Sequence, residues 1–293
     1  RLQAAVDRLA ALPERPPIAV VDNASEDGTR DALRARHPAV QVIAASRNLG
    51  ATARNLGAAV LDTPYTAFSD DDSWWHPGAL AKAAALFAAH PRLGLIAAAT
   101  RVGPGGAPDG LNAALADSPL GTEPDLPGPS VLGFLACAAV VRREAFLRAG
   151  GFHPLLHFGA EETLLALDLA AAGWGIAYCP QVVAHHHPDP GPRPGRAARV
   201  RRNELLTAWL RRPWPQAAAA TAHLARQAAT ERDARRALLS ALPRLPAALR
   251  HRRRIPDWLE ERLRTVHAAR GPGRPASDPV SAPGGPAPGP STV

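Results

Sequence analysis

Tyr65-Thr-Ala-Phe-Ser-Asp-Asp-Asp-Ser-Trp-Trp75 is the stretch on which the reading of the fold turns. A short β-prone run, Tyr65 to Phe68, passes directly into three carboxylates, Asp70, Asp71 and Asp72. In open α/β sheets the crevice at the carboxyl ends of the strands is where ligands bind. Three adjacent carboxylates repel one another and favour protonation unless cations compensate. Hard oxygen ligands at such a strand end suit Mg2+ or Mn2+ holding a diphosphate. On these residues alone, a solvated turn in which Asp72 or Ser73 caps the helix near Pro77 explains the cluster equally well.

Outward from this strand, apolar runs alternate with helical patterns. Leu2, Val6 and Leu9 predict a helix over 1–12, and Ile18 to Val21 a buried strand. A helix over 29–37, a strand over 40–43 and a helix through Leu61 precede the acidic strand. After it come an alanine-rich helix from Pro77, strands at 93–98 and 131–141, a helix over 161–172 and short strands at 176–178 and 182–187. The alternation predicts an α/β fold with a parallel sheet. Beyond a linker at 188–194, helices are expected near 198–211, 216–240 and 256–268, then a disordered Pro/Gly tail from Gly271.

Four further groups carry chemistry. Asp22, at the tip of its strand, opens the polar loop Asp22-Asn-Ala-Ser-Glu-Asp-Gly-Thr29 and is able to accept hydrogen bonds from a base or ribose; the same residue types also make ordinary turns. Arg54 and Asn55 lie inside the helix after Arg47-Asn-Leu-Gly50, where Arg54 would pair with the acidic cluster or with phosphate. Glu161 and Glu162 open an apolar helix, either as dipole-favoured anions or as a general base for an acceptor hydroxyl. His185, His186 and His187 end a strand, so His185 and His187 face one side and His186 the other.

Composition bounds the class. At 46% apolar and 20% charged, 293 residues bury a sizeable core, which excludes a wholly disordered chain. Two cysteines exclude a disulfide scaffold and a four-cysteine zinc site. The formal charge of +8 divides into −5 over residues 1–190 and +13 over 191–293, so only the tail attracts anionic surfaces through net charge. Arginine supplies nearly all of the basic residues beside 63 alanines and 31 prolines, a pattern of GC-rich coding. No apolar run reaches the length of a membrane span and no secretory signal opens the chain, so a cytoplasmic protein is expected, peripheral at most at the inner face of the membrane.

Taken in order, VVDNASEDGT (20–29), RNLGATARN (47–55), FSDDDSWWHPGAL (68–80), GGFHPLLHFGAEETLLAL (150–167) and VVAHHHP (182–188) resemble the family 2 glycosyltransferases. The resemblance implies a GT-A fold, Rossmann-like with a mostly parallel sheet flanked by helices, over 1–190; an Arg-rich helical extension would occupy 191–270 and the tail 271–293. It further implies that Asp22, Asn23, Arg54, Asp70 and Asp71 contact the nucleotide sugar, and that Asp72, Asp70 and His185 hold Mg2+ or Mn2+. Glu162, beside Glu161, would deprotonate the acceptor hydroxyl in an inverting displacement. The implied partners are a nucleotide-diphosphate sugar and a hydroxyl acceptor that is a glycan, a lipid-linked sugar or a small molecule. The family begins with a strand that this chain lacks ahead of its first helix, so an N-terminal truncation is expected. Two other classes fit parts of the sequence. One is a metal-dependent nucleotidyltransferase, although the visible loop is acidic where a basic phosphate loop is needed. The other is a non-catalytic protein that meets an anionic membrane through Arg201–Arg202, Arg211–Arg212 and Arg252–Arg254, with Trp209, Trp214 and Trp258 at the interface. Aromatic residues are too sparse for a nucleic-acid platform, and no nucleic-acid partner is expected.

Overall fold

The computed structural model describes residues 1–189, 191 and 193–270; the expected tail lies outside them. In chain order, α1 (Leu2–Ala10), β1 (Ala19–Asp22), α2 (Thr29–Arg36), β2 (Gln41–Ala44), α3 (Ala53–Val60) and β3 (Tyr65–Ala67) lead to the acidic turn. β4 (Ser73–Trp75), α4 (Ala79–Ala89), β5 (Leu93–Val102), β6 (Ala107–Pro108), α5 (Gly110–Ala116), β7 (Ala139–Arg142), α6 (Arg143–Ala149), α7 (Glu161–Ala171) and β8 (Gly175–His186) follow. Five helices complete the described chain: α8 (Arg196–Arg211), α9 (Trp214–Thr230), α10 (Arg232–Ala241), α11 (Leu245–Arg250) and α12 (Asp257–Arg270).

The apolar run of β5 is buried along its first six residues and holds the centre of a sheet ordered β3-β7-β5-β8-β4, with β6 on the end of β5. β1 and β2 pair parallel in a separate two-stranded sheet. The α/β architecture stands, but the expectation of mostly parallel pairing is corrected. Within the larger sheet only β5 and β8 run parallel, whereas β3–β7, β5–β7, β5–β6 and β4–β8 are antiparallel. The reason lies in the excursion over 103–138, which has no full crossover helix spanning the sheet and returns β7 between β3 and β5 against their direction. β8 is one strand rather than two. Its register on β5 jumps from Cys179 opposite Ala98 to Val183 opposite Ala99, because Pro180 has no N–H to give the ladder.

The free edges of β1 and β3 face a single cavity of about 1420 Å3, and among the described residues no strand lies between them. The helices after residue 196 share the core of the α/β part. Leu205, Leu206 and Leu210 pack with Leu156 and Leu164, and Leu259 and Leu263 pack with Leu165 and Leu169. The basic residues named for membrane contact are largely engaged inside this packing. Arg211 is 1% exposed and makes a bidentate pair with Asp168 (Nη2–Oδ2 2.8 Å). Arg212 pairs with Glu260 (2.7 Å), Arg201 with Glu231, and Arg202 donates to the Leu156 carbonyl at 2.9 Å. Among the described residues no helix is long and apolar enough to cross a membrane.

Candidate active site

The cavity is walled by α1 and β1 on one side, by the ends of β3 and β8, by residues 133–137, by the loop before α7 with its first turn, and by Pro188, Asp189, Arg193 and the first turn of α8. Its acidic floor is built locally. The Asp70 N–H donates to Ser73 Oγ at 2.6 Å and Ser73 N–H returns to the Asp70 carbonyl at 3.1 Å, which closes the turn and directs the carboxylates. β4 then pairs with β8, and His187 N–H donates to the Asp72 carbonyl at 2.8 Å, so the acidic turn is tied to the histidine run.

Within this turn, Asp72 is the carboxylate with a buried oxygen left unpartnered. Its Oδ1 is buried with no hydrogen-bond partner. His186 Nε2 lies 3.5 Å from that atom, and Arg1 Nη2 lies 3.3 Å from Oδ2. Burial first, and then Asp71 and Asp70, push the Asp72 carboxyl above the usual range against the pull of His186 and Arg1. An orphaned carboxylate oxygen of this kind would suit a hard divalent cation such as Mn2+ or Mg2+, with the His186 ring beside it. Asp70 is engaged otherwise, by an ion pair with Arg54, and among the described residues no three His, Cys, Asp or Glu side chains converge as a ready-made metal cage. Asp71 is exposed to the cavity.

The expected His185 ligand is displaced by strand alternation. His185 stacks on Trp74 (ring centroids 5.4 Å apart, 8° between planes) and its Nε2 is 3.2 Å from His76 Nδ1. His187 also packs on Trp74, while His186 faces Asp72. The residue at the acidic floor is therefore His186, which the sequence reading passed over although period-two alternation separates it from its neighbours.

Asp22 and Asn23 reach the cavity with their side chains already partnered. Asp22 is buried, accepts the Ser25 N–H at 3.3 Å on both oxygens and has Arg30 Nε at 3.4 Å. Asn23 bridges to the β2–α3 loop, accepting from Leu49 N–H at 2.7 Å and donating to the Gly50 carbonyl at 3.1 Å. Gly50 is required there: its φ is +61°, and an added Cβ would lie 2.3 Å from the His157 carbonyl.

His157 and Ala160, both at positive φ (61° and 59°), bracket the loop that delivers Glu161 and Glu162 to the start of α7. Such strain in residues other than glycine persists where surrounding structure holds it, often at functional sites. Glu161 is 3% exposed, its Oε2 has no hydrogen-bond partner, and Arg54 Nη1 is 4.0 Å from its Oε1. Burial, then the adjacent Glu162, push the Glu161 carboxyl up to about 8. Glu162 is half-buried at the cavity wall; burial raises it too, against the Ala136 N–H and Arg54. Arg54 thus spans the two acidic groups, pairing with Asp70 and facing Glu161, with its guanidinium 5.5 Å from the Phe152 ring.

This constellation sits on a fold seen in transferases of activated sugars. Residues 1–149 match the family model for glycosyl transferase family 2, and the chain belongs to that family. The mannosyltransferase PcManGT from Pyrobaculum calidifontis, solved with GDP-Man and Mn2+, is similar in fold at 21% identity and a TM-score of 0.54 over 93% of this chain and 72% of that one. S. aureus TarS 1–349 with UDP-GlcNAc is similar at 15% identity and a TM-score of 0.55, covering 85% of this chain and 77% of that one. GalNAc-T7 with UDP, GalNAc and Mn2+ is similar at 15% identity and 0.55, covering 71% of this chain and 45% of that one. No curated protein sequence matches. The fold is that of the GT-A glycosyltransferases.

Proposed function

We propose that the protein transfers a glycosyl group from a nucleotide-diphosphate sugar to an acceptor hydroxyl, with inversion and with assistance from Mg2+ or Mn2+. The observation that carries this reading is the placement of two carboxyl centres across one cavity: the Asp70–Asp72 floor and the raised Glu161–Glu162 pair, bridged by Arg54. The nucleotide sugars and Mn2+ found with the structural neighbours support the donor class.

Asp72 and His186 would hold the metal, with Asp70 held alongside by Arg54. A divalent ion bound there supplies countercharge for the leaving diphosphate. Asp22 and Asp71 offer carboxylate oxygens to base and ribose, while Asn23 acts through the loop it pins. Glu162, open to the cavity, takes the proton from the acceptor hydroxyl as that oxygen attacks the anomeric carbon from the side opposite the diphosphate. Glu161 stays protonated near neutrality, which keeps two carboxylates from charging in one buried place.

The test is release of nucleoside diphosphate from UDP-GlcNAc and GDP-mannose with Mn2+. Activity on either donor that disappears in Asp72→Ala and Glu162→Ala is the expected result; a variant retaining near-native turnover sinks the assignment. Release of pyrophosphate instead would favour the nucleotidyltransferase class.

A further inference from the structure

The segment after β8 puts three arginines, Arg193, Arg196 and Arg199, on the wall of the same cavity. Among the described residues none of them makes an ion pair or a side-chain hydrogen bond. They stand apart from Arg54, Arg201, Arg211 and Arg212, each of which is held by a carboxylate. The other charged groups named on the lining are carboxylates and the paired Arg54, so an unanswered cationic stretch of wall is a recognition feature of its own.

Its position relates it to the base side. Asn203 on α8, fully buried, donates to the carbonyls of Leu156 (2.8 Å) and Phe158 (3.1 Å), and Arg202 donates to Leu156 as well. These bonds fasten the middle of α8, one turn beyond Arg199, to the loop that delivers Glu161 and Glu162. Arg199 lies against that loop, where a Cβ added to Gly159 would be 4.0 Å from Arg199 Cβ. A neutral acceptor would meet guanidinium groups on the cavity wall with nothing to pair them, whereas a phosphate ester matches their planar forks.

We propose that the acceptor carries a phosphate ester close to the attacked hydroxyl and that Arg196 and Arg199 hold it. The proposal rests on the transferase reading above and narrows its acceptor class. The ester could belong to a soluble phosphate or to a lipid headgroup, and the experiment separates the two.

The full chain is saturated with UDP and Mn2+, so that the donor place is filled, and titrated calorimetrically with glycerol 3-phosphate. A second arm measures binding to phosphatidylglycerol vesicles against phosphatidylcholine vesicles. Binding in the first arm identifies a soluble ester and binding in the second alone a lipid-borne one. In either case R196A/R199A is expected to weaken it by about tenfold to a hundredfold, the loss of one or two charge-assisted hydrogen bonds. UDP affinity with Mn2+ should stay within about twofold, as the scatter of surface changes allows. A parallel loss of UDP affinity in the double variant would assign the arginines to the donor diphosphate and overturn the proposal. Absence of binding in both arms while UDP binds normally would also overturn it. Failure of the unaltered chain to bind UDP with Mn2+ would reject the transferase reading itself, and the acceptor proposal with it.

Discussion

At the scale of single residues, the informative groups are those whose surroundings disagree with their ordinary charge. Glu161, pushed up to about 8, binds a proton in the folded chain that the unfolded chain releases near the ordinary glutamate range. Its contribution to stability is therefore full below about pH 4.3 and is lost as pH rises through about 8, with a slope of up to about 1.4 kcal/mol per pH unit. Glu161→Gln should remove that part of the slope and unfold at a higher temperature than the native chain at pH 9; pH-dependent thermal unfolding reads this directly, and identical profiles would contradict the buried, protonated state. Glu162 is raised in the same direction by burial. The acid limb of kcat/KM should accordingly lie above the usual carboxylate range, and Glu162→Gln should cost about a hundredfold or more in turnover while binding of UDP with Mn2+ persists. An acid limb near pH 4 would show that another group titrates. Both carboxylates were legible in the sequence as a pair opening an apolar helix. Their surroundings were not, because the deeper burial of Glu161 and the Arg54 and Ala136 groups that meet the pair come from parts of the chain far away in sequence.

At the scale of elements, strand alternation decides which histidine matters. The pairing of β4 with β8 sets Trp74 opposite His185 and Ser73 opposite His186, so His185 and His187 share Trp74 while His186 turns to Asp72. The alternation itself could be read from three consecutive histidines in an extended run. Which of its two faces looked at the aspartates could not, since that depends on how β4 returns beside β8. If His186 and Asp72 hold the metal, His186→Ala should raise the Mn2+ concentration needed for half-maximal activity by about tenfold or more. His185→Ala should leave it near the native value, and equal effects from the two variants would refute the facial assignment. The same limit explains the sheet. Apolar runs marked β1, β2, β3 and β5 with near-correct bounds, yet the antiparallel entry of β7 between β3 and β5 is a long-range pairing that no local pattern encodes.

At the scale of the whole molecule, charge counting proved a poor guide to organisation. A net charge of +13 beyond residue 190 suggested a solvated, surface-seeking appendage, but arginines that look alike in sequence divide into two kinds in space. Arg211, Arg212 and Arg201 neutralise carboxylates within the packed helices, whereas Arg193, Arg196 and Arg199 line the cavity unpaired. The first kind fastens the helices to the catalytic part: Asp168 sits on α7, the helix that begins with Glu161, and its carboxylate takes both forks of Arg211. Replacing Arg211 by alanine strands Asp168 in the interior, and breaking a buried pair from one side costs about 3–5 kcal/mol. Because α7 carries the Glu pair, this loss should be felt at the site as well as in the helical layer. Chemical denaturation followed by both tryptophan fluorescence and far-ultraviolet circular dichroism should show one coincident transition in the native chain, shifted as a whole in Arg211→Ala. Were the helices an independent appendage, the variant would instead split the unfolding, with a helical transition moved to low denaturant and the remaining transition left in place. The shared core of Leu156 and Leu164 with Leu205 and Leu206 predicts the single shifted transition.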